Sequence, residues 1–407
     1  MKPSNLLLLT LLALAPISAQ PPAGAAGGRG GGRGMFGGPA VKSPEVSADG
    51  RVTFRLRAPA AQEVFVTIGG RTAMTKDDQG VWSATTQQPM EPDYYPYNFI
   101  VDGVSISDPS NPLVKSIVTG GFQSFVHVPG PSGLSWELND VPHGKVTHHF
   151  YKSGIIGDNR DFYVYTPPNY DPAGKTQYPV LYLIHGFTDD ASGWTTAGRA
   201  NIILDNLIAQ GKAKPMIMVN PLGYGTPNPD TNLSAVMANP ERQFQDVSRA
   251  LLQEVLPIVE REYRVAKDRN SRAISGLSMG GAETFYIGLN HIDQFAYVAG
   301  MSSAFVMYPK PAGSAPAPGG GGRGQQQHLD AAVYANVFPK LDAKAASQLK
   351  LLYVACGTDD GLIGVNRDFK DFLKSKDIAF TNIETPGAHT WMVWRRNLTE
   401  IAPKLFR

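Results

Sequence analysis

From about Pro142 to the C-terminus, short and nearly continuous apolar runs alternate with longer amphipathic stretches, and this rhythm restricts the fold more than any other feature. The runs at Phe162–Tyr165, Val180–Ile184, Met216–Val219, Ala273–Ser275, Phe295–Ala299, Leu351–Ala355 and Ile378–Glu384 have strand length and little polar alternation. Strands of that texture are covered on both faces, as in parallel sheets. The clearest intervening helix spans Phe244–Tyr263, with Phe244, Val247, Leu251, Val255, Ile258 and Val259 on one side. Pro257 inside it predicts a kink. The expected fold class is α/β, a mostly parallel sheet with helices on both faces, across residues 142–407.

The preceding residues have a different texture. Arg51–Arg57, Glu63–Ile68, Gly80–Thr85, Tyr94–Val101 and Phe122–Val128 are short strand candidates, several with period-two alternation, and Asp102-Gly103 is a hairpin signal. They predict a small all-β sandwich over residues 41–135. Ahead of it, Lys2 and the apolar run Leu6–Ala15, then Ser18-Ala19, predict a signal peptide over residues 1–19; the run is too short for the roughly 20 residues of a membrane span. Residues 20–40 are Gly, Pro and Ala with Arg29 and Arg33 and predict a disordered linker. A second low-complexity stretch, 309–327, reads as a surface insertion, either a loop or part of a lid.

Charge and cysteine content remove whole classes of function. Lys plus Arg number 37 against 35 Asp plus Glu, a formal net charge of +2, with no concentrated basic face for nucleic acid. The lone cysteine, Cys356, excludes an intrachain disulfide and a Cys-based zinc site. No metal-ligand pattern is present, and no cofactor is expected. Export of a chain with one cysteine suits a secreted or periplasmic protein that is stable without disulfides.

Gly276-Leu277-Ser278-Met279-Gly280 is a G-x-S-x-G pentapeptide. The pattern alone recurs by chance; its setting gives it weight, because an apolar run precedes it and the helix-like Ala282–Leu289 follows. A serine on so sharp a turn needs glycine two residues to either side. Such a serine needs a base, expected late in the chain after an acid. Of eight histidines only His389 lies beyond the last strand candidate. The acid is expected after Leu351–Ala355, where Asp359 and Asp360 are adjacent and compete, with Glu384 a weaker third choice. Oxyanion donors are expected at the amides of Met279 and of Phe187, in the loop His185-Gly186-Phe187-Thr188 after Val180–Ile184. His185 itself is read as shaping that loop. Asp189, Asp190, Asp246 and Asp293 are read as solvated or capping carboxylates, and Cys356 as a small buried hydrophobe.

With these residues in place the chain resembles the feruloyl (cinnamoyl) esterases of carbohydrate esterase family 1, from about His149 to the C-terminus. The likeness is carried by Val180–Gly186, Gly198-Arg199-Ala200-Asn201 with Asp205-Asn206-Leu207-Ile208-Ala209, Ala273–Gly281, Cys356–Gly364 and Gly387–Trp394. The resemblance implies an α/β-hydrolase fold and a serine triad with Ser278 as nucleophile and His389 as base. It selects Asp360 as the acid, because the family has G-T-x-D before a small residue and Leu. It also assigns the oxyanion amides to Phe187 and Met279. The insertion 309–327 departs from the common pattern. The β-region resembles early-set domains of the glycogen-binding type found in front of such esterases and of enterochelin-esterase-like proteins, through Tyr94–Gly103 and Asp108-Pro109-Ser110-Asn111-Pro112. Trp82, Tyr94, Tyr95 and Tyr97 are either a sugar platform or sandwich core; strand period favours the core.

The expected function is secreted serine ester hydrolysis on ester-decorated plant polysaccharide, removing feruloyl or acetyl groups, with no nucleic-acid partner and no membrane insertion after signal cleavage. An apolar acyl pocket is expected from Phe187, Trp194, Leu222, Tyr224 and Trp391. Two rivals are an enterochelin-type siderophore esterase and a non-catalytic carbohydrate-binding protein on a hydrolase scaffold. The first calls for a basic pocket, for which Arg199, Arg242 and Arg264 are scattered candidates; the intact Ser, Asp and His oppose the second.

Overall fold

The computed structural model describes residues 41–130, 133–311 and 327–407. The expected leader and linker (1–40) and all but the ends of the 309–327 insertion lie outside the described residues.

Residues 145–385 build one eight-stranded sheet. Its strands are β1 (Lys145–Lys152), β2 (Asn159–Thr166), β3 (Val180–Ile184), β4 (Ile217–Pro221), β5 (Arg272–Leu277), β6 (Tyr297–Met301), β7 (Leu351–Gly357) and β8 (Thr381–Thr385). They lie in the order β1-β2-β4-β3-β5-β6-β7-β8. The β1–β2 and β2–β4 pairs are antiparallel, and every later pair is parallel. This is the α/β-hydrolase arrangement. Each expected strand is present, with bounds shifted by a few residues. Strand β1, which sequence reading did not pick out, is the antiparallel edge; most of it is exposed, so it lacks an apolar run.

Helices cover both faces: α1 (Ala200–Ala209), α2 (Pro240–Ala250), α3 (Ser278–Asn290), α4 (Ile363–Ser375) and α5 (Trp391–Ile401). Side chains alternate strictly along the buried strands. Val180, Tyr182 and Ile184 join Ile274, Val298 and Val354 in a core with Phe244, Phe285 and Phe369 from α2, α3 and α4. Leu181 and Leu183 face the opposite way, with Ala273, Ala299 and Ala355, against Leu204 of α1 and Leu398 of α5. The period of two and double coverage explain why these strands read as unbroken hydrophobic runs. Truncating one of the buried aromatics, such as Phe369 to Ala, is worth ~3–5 kcal/mol of stability.

The expected kink at Pro257 takes a different form. After α2 the backbone widens into a π-turn over Leu251–Val255, with the Leu256 amide donating to the Leu251 carbonyl, and then resumes as Leu256–Glu262. A proline lacks an amide hydrogen and crowds the carbonyl four residues back; an inserted π-turn absorbs both.

The N-terminal region is all-β and antiparallel. One sheet has Val52–Arg57 between Glu45–Val46 and Val81–Thr85, with Thr75–Lys76 beyond. The other runs Arg71–Ala73, Val64–Thr67, Asp93–Val101, Phe122–Val128 and Val114–Ser116, with Val104–Ile106 closing a hairpin on Asp93–Val101 at Asp102-Gly103. Val52, Phe54, Leu56, Val64, Val66, Trp82, Tyr97, Phe99 and Val126 form their shared core. Trp82 and Tyr97 are therefore interior: the Trp82 indole donates to the Ala58 carbonyl at 2.9 Å and the Tyr97 hydroxyl to Asp108 at 2.8 Å. Tyr95 packs against the same core, half-buried. Tyr94 turns the other way and joins Phe125 and Trp136 in the α1/α5 core of the large sheet, under the Arg199 guanidinium. These positions favour the core reading over a sugar platform.

No helix among the described residues is long and apolar enough to cross a membrane.

Candidate active site

Strand β5 ends at Leu277 and helix α3 begins at Ser278, whose φ of 74° is left-handed. A non-glycine residue there costs about 1–3 kcal/mol, which the surrounding packing must hold in place. The turn is so tight that a Cβ on Gly276 would meet the Gly280 carbonyl oxygen at 2.3 Å, and one on Gly280 would meet the His185 oxygen at 2.3 Å. These approaches explain the two flanking glycines of the pentapeptide and press the turn against the end of β3.

His389 follows β8 and precedes α5. Its Nε2 lies 3.0 Å from Ser278 Oγ, and its Nδ1 lies 2.8 and 3.0 Å from the two Asp360 carboxylate oxygens. The imidazole is partly open to solvent, whereas Asp360 is buried. Asp360 also accepts from the Leu362 amide at 2.9 Å. Burial pushes the Asp360 carboxyl up, but hydrogen bonding and charge from His389, with the Leu362 amide and the Ser302 hydroxyl, hold it below its ordinary value. The carboxylate is thus ionised and aimed at Nδ1, which leaves Nε2 free to accept the serine proton.

The geometry separates the three candidate acids. Asp359 is exposed and reaches only Thr358, at 3.4 Å. Glu384 is held by Arg367 at 2.7 and 3.0 Å and by Lys370 at 3.1 Å, and these hydrogen bonds bring its pKa down to about 2. Only Asp360 touches His389.

The loop after β3 crosses over the serine: a Cβ on Gly186 would stand 3.3 Å from the Ser278 Cβ. Gly186-Phe187-Thr188-Asp189 is a reverse turn closed by the Asp189 amide on the Gly186 carbonyl at 3.2 Å. Thr188 sits at φ 74° in it. Met279, in the first turn of α3, has an amide that precedes the first helical hydrogen-bond donor. Phe187 thus follows the glycine that passes over Ser278 on one element, and Met279 follows Ser278 itself on another.

His185 is fully committed elsewhere. Its Nδ1 lies 2.8 Å from the Gly186 carbonyl and its Nε2 accepts from the Gly223 amide at 3.0 Å, while burial lowers its pKa. It is a neutral ring that shapes the loop. Gln243 continues the support, donating to the Gly223 carbonyl and to Glu283 at 2.8 Å. Glu283 is completely buried on α3, and burial pushes its pKa well above the carboxylate range.

The expected acyl pocket needs correction. Trp194 and Tyr224 have no exposed surface. The Trp194 indole donates to the Ile184 carbonyl at 2.9 Å and the Tyr224 hydroxyl to the Asp189 carbonyl at 2.8 Å. Trp391 stacks edge-on against both Trp194 and Trp394, with 5% of its surface left. All three are interior packing residues, because a large aromatic near a site is as useful for packing as for binding. Phe187 and Leu222 are half-buried and keep apolar surface.

Asp189 and Asp190 read as solvated or capping from sequence; Asp190 does cap the turn before Gly193–Thr196, and the structure departs from that reading at Asp189. Asp189 is instead buried in an ion pair with Lys115 of the β-sandwich, and Asp190 accepts from Ser116 as well as from the Ser192 amide. Asp246 meets Arg242 and Arg249, each at 3.1 Å. Lys115 was missed because nothing local marks a lysine as buried; the one available cue was two carboxylates directly after the turn, which call for a partner. Ser302 was missed as well: it is left-handed, accepts from the Trp394 indole at 3.0 Å and bonds Asp360.

An endo-1,4-beta-xylanase/feruloyl esterase of Xylanibacter ruminicola is 30% identical over 378 residues, covering 91% of this chain and 46% of that protein. The chain thus spans less than half the length of that relative. The enterobactin esterase of Shigella flexneri superposes with a TM-score of 0.64 at 20% identity, covering 88% of this chain and 93% of that one. A CE1 ferulic acid esterase of Anaeromyces mucronatus gives 0.53 at 22%, covering 68% and 96%. At these identities the two structural likenesses are likenesses of fold. A family model described as "Putative esterase" matches residues 153–405, most of the chain, with β2 to β8 and the whole Ser278–His389–Asp360 array inside it. The chain belongs to this esterase family.

Proposed function

We propose that the chain is a secreted serine esterase that removes feruloyl or acetyl groups from xylan-type polysaccharide. The observation that carries the chemistry is the 3.0 Å contact between Ser278 Oγ and His389 Nε2, with Asp360 on the far nitrogen. Ser278 attacks the ester carbonyl carbon as its proton passes to His389 Nε2. The Phe187 and Met279 amides receive the developing oxyanion, a contribution of ~3–4 kcal/mol per donor. Collapse expels the sugar alkoxide, which takes the proton from His389. Water then attacks the acyl-serine, gives its proton to His389, and the second collapse releases the carboxylic acid and restores the Ser278 hydroxyl.

Phe187 and Leu222 are the acyl contacts in this reading, since both keep apolar surface. The polysaccharide setting is supported by the relative from X. ruminicola, whose name joins a xylanase to a feruloyl esterase. The siderophore reading is disfavoured by its cations: Arg199 donates to the Trp136 carbonyl, Arg242 to Asp246 and Arg264 to the Pro172 carbonyl.

Ser278→Ala is expected to lower turnover of methyl ferulate and 4-nitrophenyl acetate by roughly 10³-fold or more. Retained hydrolysis by that variant would end the serine mechanism. Faster cleavage of ferric enterobactin than of feruloylated xylo-oligosaccharide would move the substrate to the siderophore class. Absence of fluorophosphonate labelling at Ser278 would leave a binding scaffold.

A further inference from the structure

The turn that carries the Phe187 amide is held from outside the hydrolase sheet. Thr188 is β-branched and left-handed at φ 74°, at the position of a turn where glycine or asparagine is ordinarily found. Such a conformation persists only where neighbours over-determine it. Three of the contacts that do so come from one stretch of the β-sandwich. The Val118 amide donates to the Thr188 carbonyl at 3.0 Å. The Lys115 ammonium pairs with the Asp189 carboxylate, and the Ser116 hydroxyl donates to Asp190. The pair is interior, with side-chain exposures of 3% for Lys115 and 10% for Asp189. On the hydrolase side the Tyr224 hydroxyl holds the Asp189 carbonyl, so the turn is gripped from both directions.

We propose that Lys115 and Ser116 are positioning residues for the oxyanion turn, so that the β-sandwich completes the active site. This rests on the reading of the Phe187 amide as an oxyanion donor. An amide a fraction of an ångström out of place still lets substrate bind, because the ground-state ester needs little from it. It loses the hydrogen bond that strengthens only as negative charge develops. Releasing Lys115 or Ser116 therefore lowers kcat and leaves KM nearly unchanged. A residue that only stabilises the fold would reduce the amount of active protein and leave the turnover of each active molecule as it was.

The test uses the full chain with Lys115→Met and Ser116→Ala. The second variant keeps the Lys115–Asp189 pair intact and covers the case in which the first fails to fold. Active sites are titrated with a fluorophosphonate, and methyl ferulate turnover is expressed per titrated site. Expected are a fall in kcat of about tenfold or more for Lys115→Met and about threefold for Ser116→Ala. KM should stay within about twofold, and affinity for a boronic acid that forms a tetrahedral serine adduct should weaken in step with kcat. Unchanged kcat per site, or KM rising in place of a fall in kcat, overturns the proposal. A parent protein that fluorophosphonate does not label would instead signal failure of the serine reading, before either variant is measured.

Discussion

Arg395 of helix α5 and Asp93 of the β-sandwich meet in a completely buried ion pair, 302 residues apart in sequence. Arg395 Nε and Nη2 lie 3.0 and 2.6 Å from one carboxylate oxygen. The guanidinium also donates to the carbonyls of Tyr94 and Ala197. Since α5 starts two residues after His389, the pair ties the histidine loop to the sandwich. Removing Asp93 strands the guanidinium in the interior, and removing Arg395 leaves the buried carboxylate only Arg396 as a cation, at 3.8 Å. Asp93→Ala or Arg395→Met is expected to cost ~3–5 kcal/mol, read as a lower urea midpoint, while the double replacement by apolar residues recovers much of it. Single variants as stable as the parent would show that the contact carries no such weight.

Asp360 and Asp359 are neighbours with unequal consequences. Asp360→Asn is expected to reduce kcat by about 10³–10⁴-fold, because an amide does not hold the imidazole in the required tautomer. Asp359→Asn, at an exposed position, is expected to stay within about twofold of the parent. Steady-state kinetics on 4-nitrophenyl acetate separates the two, and equal losses would reassign the acid.

Gly280→Ala places a methyl group 2.3 Å from the His185 carbonyl oxygen, where backbone has to move. Loss of soluble protein, or of more than about 10²-fold in activity through displacement of Ser278 and the oxyanion turn, is the expected result. Near-parent kcat would contradict the tight turn.

The buried carboxyl of Glu283 gives a pH signature. Its pKa is raised by burial in the folded state, so the folded chain holds a proton that the unfolded chain has released. The stability associated with that proton is complete below the unfolded pKa, near 4.5, and is lost as pH rises through the folded value. Glu283→Gln, which keeps the shape and cannot ionise, is expected to flatten this decline above pH 4.5. Asp360 acts in the opposite sense: its pKa is lowered, so its contribution is present above 3.8 and disappears in acid. Urea denaturation at several pH values checks both, and a Glu283→Gln curve parallel to the parent's would count against a protonated Glu283.

Much of the hydrolase region could be read from sequence because its strands are doubly buried and its glycines are sterically required. Val180–Ile184 reads from sequence with its observed bounds, and Gly276 and Gly280 mark the serine turn. Strand β1 escaped because an exposed edge has no hydrophobic period to detect. The choice between Asp359 and Asp360 needed family resemblance, since one residue of displacement around a turn is invisible to composition. Trp194 and Tyr224 read as pocket residues on chemistry alone, yet their indole and hydroxyl groups are engaged by backbone carbonyls in the interior. Lys115 and Asp189 show the deeper limit. Two adjacent carboxylates call for a partner, but a lysine 74 residues away carries no local mark of being it, and only the packing of sandwich on hydrolase reveals the pair.

The open edge at β1 bears on how copies of this chain meet. Phe150 and Val146 stand in solvent there, 77% and 41% exposed, beside an edge that no other strand pairs with among the described residues. Two identical edges aligned head to tail about a two-fold axis would set Lys145 of each against Lys152 of the other. Like charges facing across a ladder repel, and edge lysines are a common safeguard against strand addition. The two lysines that bracket β1 thus let an aromatic side chain stay uncovered while discouraging self-association in that register.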